Sequence, residues 1–459
     1  MSNEKSIERA SNKVTRRRML QGLGMATGAL MFDMGLPRPL KAGNTAGQAT
    51  SMAQAEEVKR PWYDLWIIGD PLMDQRLLWY LSATWQDMAD IGECLETASR
   101  IKAGDVSSWW QEWLKTAERV RGYGDKSLAG GHRISAGEAY LRASNYYRAA
   151  LMYYAEPEDP ELLEATKKSA SCFDKAIELL SIPAQPVKIP YEDTTLPGYF
   201  FRSPIAGEKA PLLIVFEGWD AWPEETKYLA DGAVKRGYHC LQFHGPGQGR
   251  ALREQGLTYR PDWENVVAPV VDFAISQPGV DPERIALMGI SFGGALATRA
   301  AAFEKRIKIC ISNPAVLSWA DVIYGIFLTQ YPQLLQLLEA DPEAFNAAVW
   351  EFVKEIPAYN WWFKATMWKH GATSPADLMI KLKDFTNVDI VDKVTCQVLI
   401  MDGEAEDWSV GQAKKVYDAL SCPKEYMLFT AEDTGLVHCQ TGALAIASQR
   451  MFDWLDEHI

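Results

Sequence analysis

The sequence predicts an α/β protein, with a mainly parallel sheet covered by helices on both faces, a helical domain before it and one helical cap inserted into it. Three observations carry this. Short, continuous apolar runs alternate with helical stretches over 184–459, which is how strands buried on both faces read. Residues 56–183 show helical periodicity throughout, with Gly and Pro gathered at the breaks. Residues 316–388 form a helical, aromatic stretch too long for a simple crossover between strands.

The chain has 459 residues, is 47% hydrophobic and 23% charged, and so contains enough apolar material for a large core. Its first 55 residues are set apart. Thr15-Arg16-Arg17-Arg18-Met19-Leu20 resembles a twin-arginine export motif, a mildly apolar stretch interrupted by Asp33 follows, and Ala53-Gln54-Ala55 offers a small-residue cleavage site. That order predicts export to the periplasm or the medium; without a working signal the chain stays in the cytoplasm. No later stretch approaches the roughly 20 apolar residues that span a bilayer, so stable membrane insertion is not expected after export. A formal charge of -13 argues against a nucleic-acid partner held through phosphates. The seven cysteines are scattered, odd in number and without C-x-x-C spacing, which argues against a disulfide framework and a zinc site. Neither cofactor nor metal enters the expectation.

Within 56–183, Ser108-Trp109-Trp110-Gln111 and Ser135-Ala136-Gly137-Glu138 read as capping boxes, predicting helices that begin near 109 and 136. Asp159-Pro160 is a cap followed by proline at the first helical position. No 34-residue repeat is sustained. After Pro183, segments 187–189 and 199–201 form a hairpin around a turn-rich 192–198. Strands follow at 212–216, 238–243, 285–288, 307–311, 398–401 and, last, 426–429. Helices are expected over 223–236, 263–274 with a kink at Pro269, 295–303 and 443–455.

Gly289-Ile290-Ser291-Phe292-Gly293-Gly294 is the centre of the functional reading. G-x-S-x-G alone is weak, but here it follows a strand and opens a helix, as a turn that lifts a nucleophilic serine requires. A serine hydroxyl needs a base, and the histidines after Ser291 are His370, His438 and His458. His370 falls in the cap and His458 is the penultimate residue. His438 lies in a loop between the last strand and the last helix, where a base is presented in this arrangement. The acid should follow the strand at 398–401, in Asp402-Gly403-Glu404-Ala405-Glu406-Asp407. Position favours Glu406, three residues after the glycine; residue type favours Asp407, the alternative acid. The remaining carboxylates there are expected in a solvated loop. The oxyanion donors should be the amides of Phe292 and of Trp219, in the loop after 212–216. His244-Gly245-Pro246-Gly247-Gln248-Gly249 lacks the Lys-Ser/Thr ending of a phosphate loop and reads as a tight loop bordering the site. Trp222, His244 and Trp408 are candidate pocket residues, and Asp321 or Tyr324 a proton donor from the cap. Seventeen tryptophans, five of them in the cap, suit a small, flat or aromatic substrate.

Tyr140 to Ala150, Ile189-Pro190-Tyr191, Leu196-Pro197-Gly198-Tyr199, Gly245-Pro246-Gly247-Gln248-Gly249, the Ser291 motif and His438-Cys439-Gln440, in that order, resemble one subgroup of the α/β-hydrolase fold. It is the group with an N-terminal helical domain that includes dihydroxypseudooxynicotine hydrolase and the fungal heptaketide hydrolase of pigment synthesis. The similarity covers 60–459. It implies hydrolysis of a carbon-carbon bond beside a ketone, or of an ester, in an aromatic or polyketide-like molecule, and a homodimer assembled partly through the helical domain. It carries Ser291 and His438 over as nucleophile and base. The group commonly has aspartate where Glu406 stands and an acidic residue where His244 stands. An exopeptidase or acyl-peptide hydrolase is the competing enzyme, though no propeller repeat precedes the catalytic part; a non-catalytic binding protein of the same fold is the third reading.

Overall fold

The computed structural model describes residues 60–327 and 331–459; the expected export segment and cleavage site lie outside them. The described residues open with five α-helices: α1 Pro71–Ser82, α2 Ile91–Ala98, α3 Val106–Ala129, α4 Arg133–Ala150 and α5 Pro160–Leu180. They close on an aromatic core in which Trp109 and Trp113 are fully buried, with Tyr80 and Tyr146 packed 5.3 and 5.6 Å from the Trp113 ring. Asp159 caps α5 through the Glu161 amide and Pro160 opens it, as the sequence predicts.

The other two starts differ. Helix α3 begins three residues early because Asp105, not Ser108, accepts the amides of Ser107 and Ser108. Ser108 instead takes the Lys102 amide at 3.0 Å. Helix α4 starts at Arg133 behind His132, with no side-chain cap. A carboxylate also complements the positive helix end, which a serine does not. Asp105→Ala is expected to cost about 1 kcal/mol, read as a lower urea midpoint; an unchanged midpoint would remove the cap assignment.

The sheet has eight strands: β1 Ala184–Tyr191, β2 Thr194–Phe201, β3 Ala210–Phe216, β4 His239–Phe243, β5 Val280–Ile290, β6 Ile309–Asn313, β7 Gln397–Gly403 and β8 Lys424–Phe429. Their order is β1-β2-β4-β3-β5-β6-β7-β8. The β1-β2 hairpin is antiparallel and pairs antiparallel with β4; every later pairing is parallel. The hairpin turn is tighter than the sequence suggests, since Tyr191 already pairs with Thr194. Helices α6 Lys227–Lys235, α7 Gly249–Gln255, α8 Glu264–Ile275 and α9 Phe292–Phe303 connect the strands up to β6, and α8 continues through Pro269.

Between β6 and β7 the chain leaves the sheet to build the cap. Its helices are α10 Trp319–Phe327, α11 Pro332–Ala340, α12 Pro342–Val353, α13 Pro357–Lys369 and α14 Pro375–Leu382. Helix α15 Gln412–Ala419 joins β7 to β8, and α16 Leu444–His458 ends the chain, so His458 belongs to that helix rather than lying beyond it. The parallel register sets the C-terminal ends of β3 and β5 side by side, Phe216 opposite Gly289. The loops after β3, β5 and β7 therefore open on one edge of the sheet, where such folds place their ligands.

Candidate active site

Ser291 sits at the turn between β5 and α9 with φ 56° and ψ -127°, a conformation that costs an ordinary side chain on the order of 1–3 kcal/mol. The surroundings enforce it. The Ser291 amide donates to the Asn313 carbonyl at 2.6 Å. A Cβ on Gly289 would stand 2.0 Å from the Gly293 carbonyl oxygen, and one on Gly293 would stand 2.8 Å from that of Glu217. The glycines let strand, helix and neighbouring loop close around a strained serine.

His438 reaches this serine from the loop after β8. Its Nε2 lies 2.9 Å from Ser291 Oγ, and its Nδ1 lies 2.8 Å from each carboxylate oxygen of Glu406. Glu406 Oε1 also accepts the amides of Trp408 and Ser409, each at 2.9 Å, so the carboxylate is fixed from two sides. Burial would push the Glu406 carboxyl up, but His438 and these amides hold it below its ordinary value. Burial works the other way on His438, and the neighbouring Cys439 and Glu406 outweigh it, leaving the imidazole well above its ordinary value. Asp407 points elsewhere: its exposed side chain accepts from Gln75 at 3.3 Å. Asp402 is not solvated as expected; it is buried and takes the Tyr426 hydroxyl.

The loop after β3 comes close to the serine because Gly218 has no side chain; a Cβ there would stand 2.6 Å from Ser291 Cβ and 2.9 Å from the Phe292 amide nitrogen. Neither the Phe292 nor the Trp219 amide has a hydrogen-bond acceptor among the described residues. Two side chains to which the sequence reading assigns no role hold this loop. Tyr259 donates its hydroxyl to the Gly218 carbonyl at 2.6 Å, and Gln248 donates to the Glu217 carbonyl. Gln248 lies within the noted glycine loop. Tyr259 belongs to no local pattern.

The remaining candidates divide. Trp408 stands 6.4 Å from the His438 ring and donates to Gln75. The Trp219 indole packs against Trp361 and Trp362 of the cap, and Trp319 stacks 4.4 Å from Phe292. His244 and Trp222 do not line an open pocket. His244 is fully buried, with Nδ1 accepting the Arg250 amide and Nε2 3.3 Å from Glu224; Trp222 is 1% exposed beside it. His244 stands in the loop after β4 and Trp222 in the loop after β3, each packed among its neighbours. The Asp321 side chain is exposed, and the Tyr324 hydroxyl donates to the Met379 carbonyl within the cap.

Residues 196–441 match the alpha/beta hydrolase family. The chain belongs to that family. This α/β-hydrolase is 34% identical over 396 residues to hydrolase acrC of Aspergillus aculeatus, a match covering 80% of this chain and 92% of the relative. It is 33% identical over 387 residues to the 20-hydroxy-prefusarin hydrolase FUS2 of Gibberella moniliformis, with the same coverage. Among solved structures, 2,6-dihydroxy-pseudo-oxynicotine hydrolase aligns with a TM-score of 0.62 at 20% identity, over 82% of this chain and 95% of that one. The resemblance expected from the motifs therefore holds, both to fungal hydrolases and to the fold of that enzyme. The protein is a hydrolase.

Proposed function

We propose that this chain is a serine hydrolase that cleaves an ester, or a carbon-carbon bond beside a ketone, in an aromatic or polyketide-like small molecule. The observation that carries the reading is the unbroken relay from Ser291 Oγ through His438 to Glu406, at 2.9 and 2.8 Å. Ser291 Oγ attacks the substrate carbonyl while its proton passes to His438 Nε2. The carbonyl oxygen becomes an oxyanion between the Phe292 and Trp219 amides. Collapse of the tetrahedral adduct expels an alkoxide, or an enolate in the carbon-carbon case, which takes the proton from His438. Water then repeats the sequence on the acyl-enzyme. The names of FUS2 and of the oxynicotine hydrolase, each acting on a small organic molecule, and the tryptophans packed over the Gly218 loop support the substrate class. Assay of purified protein against paired aryl ester, vinylogous β-diketone and aminoacyl substrates tests it. Preference for the aminoacyl compound would overturn it in favour of an exopeptidase.

Tyr259 is the positioning residue in this scheme. Its hydroxyl donates to the Gly218 carbonyl, which shares a peptide unit with the Trp219 N–H. Donation to the oxygen draws electron density through the conjugated amide and makes that N–H a stronger donor, besides fixing its plane. Tyr259→Phe is expected to lower kcat about 3- to 10-fold, the worth of one hydrogen bond, with little change in KM. Affinity for an aryl trifluoromethyl ketone should fall in parallel while that for a ground-state competitor holds. Equal loss for both inhibitors would reduce Tyr259 to a packing role.

A further inference from the structure

Four basic side chains converge on the loop that carries Trp219. Arg76 of α1 and Lys369 of α13 both reach Asp220, at 2.5 and 3.0 Å. Arg148 of α4 pairs with Glu225 at 2.8 Å and also donates to the Asp220 carbonyl. Arg253 of α7 makes no ion pair among the described residues and feels Asp220 and Glu225 only at longer range. The other acids nearby do not supply one. Glu224 faces His244 instead, and burial pushes Glu217 up to about 8, leaving it largely protonated at neutral pH.

Arg253 is also held in a particular way. Its guanidinium lies 5.1 Å from the Trp222 ring and 5.3 Å from the Trp368 ring, so one indole comes from the Trp219 loop and the other from the cap. The only hydrogen bond it makes among the described residues is a long one, 3.4 Å, to the Gly249 carbonyl of its own helix. Its Nε is shielded from solvent without an acceptor, and so are the indole nitrogens of Trp219 and Trp222 and the hydroxyls of Tyr80 and Tyr153. All of these can donate. Burial, with Arg148 beside it, brings Arg253 down to about 9, and burial brings Lys369 down to about 7. Held near two indole rings with its Nε lacking an acceptor, the Arg253 guanidinium keeps donors free for a carboxylate.

We propose that this cluster is a subsite for a carboxylate carried by the substrate, with Arg253 as its fork and Lys369 and the Trp219 indole beside it. The inference rests on the serine-hydrolase reading and narrows it to acidic substrates. The test compares two esters of equal acyl length, 4-nitrophenyl hemiglutarate and 4-nitrophenyl pentanoate. The unaltered protein is expected to prefer the hemiglutarate by about tenfold or more in kcat/KM, what one charge-assisted bond supplies, chiefly through KM. In Arg253→Gln that ratio should fall toward one. Arg253→Lys, which keeps the charge but loses the planar fork, should fall between. A ratio near one in the unaltered protein overturns the subsite, and needs no variant to fold; so does a ratio that survives Arg253→Gln. Undiminished turnover in Ser291→Ala would instead sink the serine-hydrolase reading, so the two failures are distinguishable.

Discussion

Replacement of Ser291 by alanine is expected to abolish labelling by a fluorophosphonate probe and to lower ester turnover by about 10⁴- to 10⁶-fold. The change deletes one oxygen whose side-chain partner is His438 Nε2. It leaves the Cβ, the amide bond to Asn313 and the strained φ of 56° in place, so the fold and melting temperature should hardly move. The amides of Phe292 and Trp219 and the loop around them also remain, which is why some rate above the uncatalysed reaction should survive. Intact-mass spectrometry reads the probe adduct directly. An adduct of undiminished stoichiometry on the alanine variant would mean that another residue is the nucleophile, and the Ser291 to Glu406 relay would lose its assigned purpose.

What the sequence makes legible follows the range of the forces involved. The turn around Ser291 is visible because its demands are local. A strand, two glycines without room for a Cβ and a helix must be consecutive, and Gly289 and Gly293 are where close approach requires them. Glu406 is legible for a related reason. Three residues after Gly403 bring its carboxylate to His438, whereas Asp407, one residue on, faces Gln75. The helix caps show the limit of such reasoning: Ser108 and Asp105 are both acceptable caps, and the choice went to the carboxylate, with Ser108 spent on the Lys102 amide. The cations around Asp220 have no local signature, since they come from four helices separated along the chain and meet only after those helices pack against one loop. The burial of His244 and Trp222, in the loops after β4 and β3, is not legible either, because proximity in sequence says nothing about which face of a loop is sealed by packing.

The acid supplies the second large effect. In Glu406→Gln the side-chain carbonyl should settle at the Oε1 position, where the Trp408 and Ser409 amides already donate. The NH₂ group then falls at the Oε2 position, 2.8 Å from His438 Nδ1. An NH₂ there donates to Nδ1 and places the imidazole proton on Nε2, the nitrogen that must accept from Ser291. A wrong tautomer of this kind lowers kcat by roughly 10⁴-fold. The pH profile should move too, in a definite direction. His438 acts when neutral, so the rate climbs as pH rises through its pKa, and the folded protein holds that pKa above the ordinary value partly through the Glu406 charge. Removing the charge lowers it, and the acid limb of kcat/KM should shift to lower pH even as the plateau collapses. Asp407→Asn, on an exposed side chain with one 3.3 Å contact, should stay within about twofold of the unaltered rate and keep the acid limb close to its place. Stopped-flow acylation across pH 5 to 9, roughly the window in which an imidazole titrates, reads both quantities. Full turnover in the Glu406 variant with loss in the Asp407 variant would transfer the role to the neighbour and require the loop after β7 to rearrange when substrate binds.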